Sequence, residues 1–443
     1  MILNYDGKKS EIEILKNTPK AILKHVEGDT SSKNKLIQGD NLPILKALIE
    51  DYELGGKIDL VYIDPPFSTN GNFKISQDRA NTISQSKDDE IAYSDTLVGP
   101  TFLEFLREVL IFLKELMSDR ASIYLHIDYK IGHYVKIIMD EIFGKKNFRN
   151  DITRIKCNPK NFKRKAYGNI KDLILFYSKS ENLIWNDPRL PFTQEDIERL
   201  FKKVDQQGRR YTTIPLHAPG ETSNGKTAQE WRGIKPPKGR HWRSAPEVLE
   251  EWDKNGLIEW SKTGVPRKKI YADEQKGKKM QDIWEFKDPQ YPSYPTEKNL
   301  NLLKFIIQSS SQEGNLVLDC FCGSGTTLVA AQELKRNWIG IDKSNQAIKI
   351  AKKRLEKSQT NFSGNIDYEF LIESEEGETA LDLLMDNCLT TERCSSTTQK
   401  ITRFFQRQMV LFPEENPPSI SPKEATHSIA IGLKGKKVIG KRA

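Results

Sequence analysis

The residues at 64–67, Asp-Pro-Pro-Phe, combine side-chain types that could act together on an amine. Proline lacks an amide proton and has a fixed φ, so two prolines end a strand abruptly and fix the direction of neighbouring carbonyl groups. Asp64 and the carbonyl of Pro65 could accept the two N–H bonds of an exocyclic amine, and Phe67 could stack on the base that carries it. Together with Pro66 these are candidate catalytic residues. The alternative is a proline-rich turn in which Asp64 caps a neighbouring group.

A glycine turn in the segment LVLDCFCGSGTT is the second candidate site. Gly323 and Gly325 lie between a predicted strand, which ends at Asp319, and a predicted helix. Glycine there lets the backbone approach a ligand at the helix N-terminus. The third glycine of a dinucleotide fingerprint is replaced by Leu328, and no P-loop lysine follows. Asp342 ends the next predicted strand and could accept both hydroxyls of a ribose. The pattern favours a nucleoside cofactor without a pyrophosphate, such as S-adenosylmethionine; the alternative is a tight turn beside an unrelated acid.

The two motifs, with DPPF preceding FCGSGTT, resemble those of the amino-methyltransferases of DNA in the β group, where the catalytic motif precedes the cofactor motif. Further segments that resemble this family lie at 38–42 (QGDNL), 92–106, 124–148 and 294–307. The resemblance implies S-adenosylmethionine as the cofactor and a defined set of residues around it. These are Asp40 at the cofactor adenine, Thr296 and Lys298 at its methionine end, and Asp319, Phe321, Gly323, Gly325 and Asp342.

The resemblance also implies a reaction. In this family DPPF usually accompanies N6 of adenine, whereas SPPY accompanies N4 of cytosine, so methyl transfer to N6 of an adenine flipped out of duplex DNA is expected. The attack would be direct and in line, with no covalent enzyme intermediate and no metal. No cysteine follows a proline, which argues against C5-cytosine chemistry. The alternatives are N4-cytosine methylation, methylation of RNA or of a protein amide, and a catalytically silent DNA-binding protein.

The elements that must position these motifs alternate between strands and helices. Short apolar runs such as 57–64 predict buried parallel strands, and segments such as TFLEFLREVLIFLKELM predict amphipathic helices. This order predicts an α/β fold, a doubly wound, mostly parallel, Rossmann-like sheet. The predicted divisions are an N-terminal extension, 1–35; a catalytic half, 36–180; an inserted target-recognition region, 181–285; a cofactor-binding half, 286–357; and a polar tail, 358–443. The polar segment 68–92 predicts a lid over the flipped base or a disordered loop.

The predicted inserted region and the segment before it carry clusters of basic residues among tryptophans. Such a mixture suits phosphate neutralisation together with stacking on DNA. The candidate DNA-binding residues are Lys163, Arg164, Lys165, Trp231, Arg232, Arg240, Trp242 and Arg243. The alternative is an ordinary solvated surface, with the tryptophans in a small core.

Composition sets the remaining expectations. The net charge of +8 is compatible with a polyanionic partner. The N-terminus lacks the plan of a signal peptide, and no apolar run is long enough to span a membrane, so a cytoplasmic protein of a prokaryote or phage is expected. The five cysteines are scattered, and His126 with Asp128 is expected at a solvated strand end, so no metal site is predicted. The family often dimerises. Because no translocase or nuclease motif is evident, any restriction activity is expected on a separate chain.

Overall fold

The computed structural model describes residues 2–65, 99–159, 165–222, 224–290, 297–358 and 367–374, and only the backbone of 72–75, 80–81 and 90–94. Its strands, in chain order, are β1 (Ile22–Gly28), β2 (Lys35–Gln38), β3 (Ile58–Ile63), β4 (Asn72–Ile75), β5 (Ala80–Asn81), β6 (Glu90–Ser94), β7 (Met117–Ile127), β8 (Phe148–Ile155), β9 (Lys171–Ser178), β10 (Arg189–Leu190), β11 (Lys203–Val204), β12 (Arg210–Pro215), β13 (His217–Pro219), β14 (Arg240–Trp242), β15 (Ile258–Trp260), β16 (Pro266–Tyr271), β17 (Lys278–Lys279), β18 (Ile283–Glu285), β19 (Leu316–Asp319), β20 (Asn337–Asp342) and β21 (Glu369–Ser374). The α-helices are α1 (Glu11–Asn17), α2 (Asn41–Glu50), α3 (Gly99–Leu116), α4 (Gly132–Phe143), α5 (Gln194–Leu200), α6 (Pro246–Lys254), α7 (Leu300–Ser310), α8 (Thr326–Glu333) and α9 (Asn345–Ser358). Short 3₁₀ turns cover Lys145–Asn147, Lys226–Ala228 and Ala272–Glu274.

A ten-stranded sheet forms the centre of the fold, in the order β1-β21-β2-β20-β19-β3-β7-β9-β8-β18. Only β1 and β9 run against the other eight strands. Parallel strands of one sheet need long crossover connections, and helices supply them between β2 and β3, β3 and β7, and β19 and β20. The predicted Rossmann-like α/β fold is therefore confirmed.

Helices cover both faces of this sheet. On one face, alternate strand residues such as Val61, Ile63 and Ile123 join the apolar sides of α2, α3 and α4 in one buried core. On the other face lie Tyr62 and Tyr124, and the hydroxyl of Tyr124 is 2.8 Å from the Ser310 hydroxyl of α7. Helices α7, α8 and α9 pack in succession on that side. Burial on both faces explains why the central strands are nearly all apolar.

The direction of strand addition reverses between β3 and β19. From β3 the chain crosses through α3 to β7, on one side, whereas from β19 it crosses through α8 to β20, on the other. The two strands are neighbours, with Val317 opposite Leu60 and Leu318 opposite Val61. Ligands of doubly wound sheets bind at such a switch point, beyond the carboxyl ends of the strands. Asp64 and Asp319 follow or end these two strands, so the fold brings both candidate motifs to one place.

Two strands at one end of the sheet correct its predicted limits. The sequence analysis assigned 1–35 to an extension and 358–443 to a tail, but β1 and β21 lie inside the central sheet, with β21 between β1 and β2. Neither strand alternates regularly along the chain, so its pairing decides its conformation. Phe370 and Leu371 of β21 are buried by these neighbours. Residues after 374 lie outside the described part of the chain.

The predicted inserted region contains a separate antiparallel sheet, β11-β12-β16-β15, and a small core. That core consists of Leu216, Trp231, Trp242, Leu249 and Ile258. The predicted limit at 285 is also corrected, because β18 pairs with β8 as an edge strand of the central sheet.

The predicted lid at 68–92 falls mostly outside the described residues. Where the sequence predicts no regular structure, the backbone of β4, β5 and β6 forms a small antiparallel sheet. Within the described ranges, no helix is both long and apolar enough to cross a membrane.

Candidate active site

Asp64 lies directly beyond β3, and its two carboxylate oxygens differ. Its Oδ2 forms an ion pair with the ammonium of Lys298, and both side chains are largely buried. Its Oδ1 is buried and has no hydrogen-bond partner among the residues that the structure describes. An unpaired buried acceptor costs free energy, which a ligand donor can recover. Pro65 is buried beside it, whereas Pro66 and Phe67 lie outside the described residues.

Lys298 is held close to the glycine turn by its neighbour in the chain. Glu297 forms an ion pair with Arg354 of α9, at 3.1 Å. Arg354 also donates to the hydroxyls of Ser324, at 2.8 Å, and Thr326, at 3.0 Å. The sequence analysis missed Glu297 and Arg354, because neither belongs to a local motif. Thr296, predicted to contact the cofactor, lies outside the described residues.

Asp319 ends β19 inside the protein. Its carboxylate accepts hydrogen bonds from the backbone amide of Phe321, at 3.0 Å, and from the hydroxyl of Thr327, at 2.5 Å. Burial raises the pKa of Asp319 to about 7, although these two hydrogen bonds act in the opposite direction. The Phe321 ring, in turn, packs edge-to-face on Phe105 of α3, with centroids 6.1 Å apart.

The glycine turn brings its backbone against Asp342, which ends β20. Gly323 and Gly325 have positive φ angles of 51° and 77°, which glycine adopts without strain. The Gly323 amide donates to Oδ2 of Asp342, and the Ser344 amide to Oδ1, both at 2.8 Å. Burial raises the pKa of Asp342. Each carboxylate oxygen can accept a further bond, so these residues fit the ribose of a nucleoside cofactor.

Asp40 lies at the same edge of the sheet. The carbonyl of Asp342 accepts a bond from the Gly39 amide, at 3.1 Å, which joins β2 to the end of β20. A side chain on Gly39 would collide with Glu373, since an added Cβ would lie 2.5 Å from it. The Asp40 amide donates to Glu373, at 2.6 Å, and its half-exposed carboxylate pairs with Lys343, at 3.2 Å. The carboxylate is thus accessible beside the glycine turn.

A buried polar row, which the sequence analysis missed, lies beside Asp64. His126 was expected at a solvated strand end, but it is fully buried, between Tyr62 and Asp172. Its Nδ1 is 3.0 Å from the Tyr62 hydroxyl, and its Nε2 is 3.1 Å from Asp172. Burial lowers the pKa of His126, so the neutral ring accepts from Tyr62 and donates to Asp172. Burial raises the pKa of Tyr62. The fully buried Arg154 extends the row, because it lies 3.6 Å from Asp172 and also pairs with Asp288.

The predicted DNA-binding residues fall into different environments. Trp231 and Trp242 belong to the small core of the inserted region, which is the alternative that the sequence left open. Arg232 is paired with Glu250 and Asp253. The remaining candidates are exposed or lie outside the described residues. Exposed are Lys165, Arg240 and Arg243; outside lie Lys163 and Arg164.

Four arginines of the inserted region lack a carboxylate partner within the part of the chain that the structure describes, and one of them, Arg210, donates to the Phe201 carbonyl, at 3.5 Å. Arg240 contacts the ring of His217, at 3.2 Å; Arg243 donates to the Pro215 carbonyl, at 3.0 Å; and Arg267 donates to Thr213. Burial and the charges of Arg240 and Arg243 lower the pKa of His217. We call Arg240, Arg243 and Arg267 the arginine cluster.

Comparison with known proteins identifies the family of the chain. The family model described as DNA methylase, N6_N4_Mtase, matches residues 58–353, and a methyltransferase-domain model matches 311–423. The type II methyltransferase M.EcaI of Enterobacter cloacae is 40% identical over 80% of this chain and 77% of its own length. The StyLTI Mod subunit of a type III restriction-modification enzyme, from Salmonella typhimurium, is 26% identical over 71% of this chain and 52% of its own. A crystal structure of an M1.HpyAVI–SAM complex is 18% identical over 72% of this chain and all of that one, with a TM-score of 0.37. The chain therefore belongs to the DNA methylase family and is a DNA methyltransferase whose cofactor is S-adenosylmethionine.

Proposed function

We propose that this methyltransferase acts on N6 of an adenine flipped out of duplex DNA. The observation that carries the proposal is Oδ1 of Asp64, which is buried at the switch point of the sheet and has no partner among the described residues. Asp64 and the Pro65 carbonyl would accept the two N–H bonds of the adenine amine. That arrangement draws the nitrogen lone pair out of conjugation with the ring, towards the position of attack. Phe67 and Pro66 would complete the pocket for the base.

The cofactor supplies an electrophilic methyl group. We propose that Asp342 and Asp40 hold its adenosine part, with Asp319, Phe321, Gly323 and Gly325 forming the turn against it. Thr296 and Lys298 would hold its methionine end. The hydrogen bonds of Asp342 to the turn, and the proximity of Asp40 to Asp342, support this assignment.

Adenine is favoured over cytosine by the aspartate at position 64. The chemistry of a carboxylate beside a fixed carbonyl suits any exocyclic amine, so N4 of cytosine is the competing target. We propose adenine because DPPF usually accompanies it in proteins that this chain resembles.

The DNA contacts that we propose centre on Arg240 and Arg243, together with Arg267. Their guanidinium groups bond only to neutral groups among the described residues, so they offer net positive charge to phosphates. Lys163, Arg164 and Lys165 are proposed to add to this surface. Because Trp231 and Trp242 lie in the small core of the region, we propose that those rings stabilise the region rather than stack on DNA.

We also propose a place in a restriction-modification system. The names of the type II and type III relatives carry that association. The chain spans about half the length of the type III Mod subunits that it matches. Because those relatives are named as Mod subunits of restriction-modification enzymes, a partner nuclease is proposed as a separate chain. Dimerisation is proposed only from the resemblance to the family.

The test is nucleoside mass spectrometry of unmethylated duplex DNA after incubation with the protein and S-adenosylmethionine. We expect N6-methyladenine from the wild type and none from Asp64→Ala. Asp128→Asn is a matched control, because Asp128 follows the neighbouring strand β7, and its product should be unchanged. N4-methylcytosine from the wild type would overturn the proposed base. An unmodified duplex in every sample would overturn the proposed reaction on DNA of the tested sequence set.

A further inference from the structure

The buried ammonium of Lys298 is in contact with the proposed base site and is assigned to the proposed cofactor site. Lys298 is proposed to hold the methionine end of the cofactor, yet in this structure its ammonium pairs with Oδ2 of Asp64. The two side chains are 10% and 16% exposed, so water screens the pair poorly. While this pair is formed, the ammonium compensates the negative charge of the Asp64 carboxylate, which makes its free oxygen, Oδ1, a weaker acceptor for the adenine amine.

We infer that Lys298 is shared between two carboxylates, pairing with Asp64 in the cofactor-free enzyme and with the cofactor carboxylate in the loaded enzyme. The inference rests on the proposed function, because it assigns Asp64 to the base amine. Under this arrangement Asp64 is the stronger acceptor for the base amine when the cofactor is bound, because the ammonium then no longer compensates its carboxylate. The enzyme would therefore hold an adenine more weakly in the absence of its methyl donor.

The surroundings of Lys298 suit an exchange made by the side-chain tip alone. Glu297 anchors the adjacent backbone to Arg354, which in turn binds the hydroxyls of Ser324 and Thr326 in the glycine turn. The segment is thus fixed relative to the proposed cofactor site. A lysine carries its charge on a flexible four-carbon stem and makes no fixed fork of donors, so it can change partners without a backbone movement.

The exchange couples the affinity for the cofactor to the charge of Asp64. If Asp64 competes with the cofactor carboxylate for one ammonium, the cofactor must break the Asp64–Lys298 pair in order to bind. Neutralising Asp64 removes that cost and should tighten cofactor binding. A coupling of this kind changes affinity by about 5- to 150-fold. We expect the lower end of that range, because Lys298 retains its other surroundings in the variant.

The test measures binding to the full-length chain, without DNA, by isothermal titration calorimetry. The probe is S-adenosylhomocysteine, which has the amino-acid carboxylate and no methyl group to transfer. For Asp64→Asn, whose side chain is nearly isosteric, the Kd should fall by about 5- to 10-fold relative to the wild type. Methylthioadenosine, a nucleoside without the carboxylate, is the matched ligand, and its Kd should be unchanged.

A double-mutant cycle distinguishes the sharing of the Lys298 ammonium from a general effect of Asp64→Asn on the site. In a Lys298→Met background, Asp64→Asn should leave the Kd for S-adenosylhomocysteine unchanged, because the shared ammonium is gone. An Asp64→Asn variant that binds S-adenosylhomocysteine no more tightly than the wild type does would overturn the inference. So would an equal gain for methylthioadenosine, or a gain that survives in the Lys298→Met background.

These outcomes are independent of the identity of the methylated base. An unchanged affinity together with N6-methyladenine as product would remove the sharing and keep the proposed function. Tighter binding together with N4-methylcytosine as product would keep the sharing and remove the proposed adenine specificity.

Discussion

Asp319, at the switch point, makes the stability of the protein depend on pH. It is buried, and its carboxylate is surrounded by an amide and a hydroxyl rather than by water. The folded protein therefore holds a proton on Asp319 up to a pH of about 7, whereas the unfolded chain loses it near pH 4. Between these values the folded state binds more protons than the unfolded state, so the contribution of Asp319 to stability falls as the pH rises.

Replacing Asp319 with asparagine should remove that contribution. The free energy of unfolding of Asp319→Asn, relative to the wild type, should rise by about 1 kcal/mol per pH unit between about pH 4 and 7, then level off. Denaturant unfolding of both proteins across this range, without cofactor, measures the difference. A difference independent of pH would show that Asp319 titrates at its ordinary value in the folded protein.

The residues of the candidate site divide into those that a sequence can predict and those that it cannot. Asp64, Asp319 and Asp342 stand at or just beyond strand ends, and such ends meet at one edge of a parallel sheet. His126 and Arg354 could not be found in that way. His126 meets Tyr62 only through the register of β3 with β7, and Arg354 reaches the glycine turn only because α9 packs near α8. Contacts of this kind depend on tertiary pairing, which leaves no local pattern.

At the scale of elements, the turn between β19 and α8 combines a backbone requirement with a packing requirement. Gly325 has a φ of 77° and is the residue before α8. A Cβ at this position would lie 3.0 Å from the Cβ of Ala351 in α9. Gly314 has nearly the same φ, 79°, but open space around it.

These two glycines separate strain from crowding. Gly314→Ala should cost about 1 kcal/mol of stability, from the backbone conformation alone. Gly325→Ala should cost more, about 2–4 kcal/mol, and should also weaken S-adenosylhomocysteine binding, because α8 and α9 must move apart at the turn. Thermal unfolding and calorimetric titration of both variants provide the comparison. Equal losses of stability, with unchanged ligand binding in both, would contradict the crowding.

Element prediction succeeded where burial on both sides of the sheet imposes a pattern. The helices α3 and α4 and the strand β3 follow from their apolar spacing. By contrast, β1 and β21 lie at the edge of the sheet, where polar and apolar residues mix, and pairing with distant strands settles their conformation. Pairing also decides the conformation of β4, β5 and β6, which form a separate sheet with one another within the described backbone.

At the scale of the whole molecule, only some of the basic side chains can offer their charge to a polyanion. Many basic side chains of the inserted region are already neutralised; Arg199, for example, pairs with Asp196, and Arg209 with Asp273 and Glu274. The arginine cluster is not neutralised in this way within the described residues. Net charge alone could therefore indicate a polyanionic partner, but it could not indicate which face would meet it.

Substitutions that remove equal charge should consequently have unequal effects on DNA binding. Arg240→Ala and Arg243→Ala should each weaken binding and reduce the slope of log K against log salt by about 1. Arg199→Ala, a paired arginine in the same region, should change neither quantity appreciably. Fluorescence anisotropy with duplex DNA, from about 50 to 200 mM salt, measures both. The same slope in all three variants would remove the arginine cluster from the proposed phosphate contacts.

The route of the chain through the sheet bears on how such a protein changes over generations. The inserted region leaves after β9 and returns as β18, and both strands flank β8 at the same edge of the central sheet. A segment joined at one edge can be lengthened, shortened or replaced while the switch point between β3 and β19 keeps its neighbours. Because the proposed DNA contacts lie in this region, the exchange of one contiguous stretch of coding sequence between lineages would alter those contacts and leave the residues of the switch point as they were inherited.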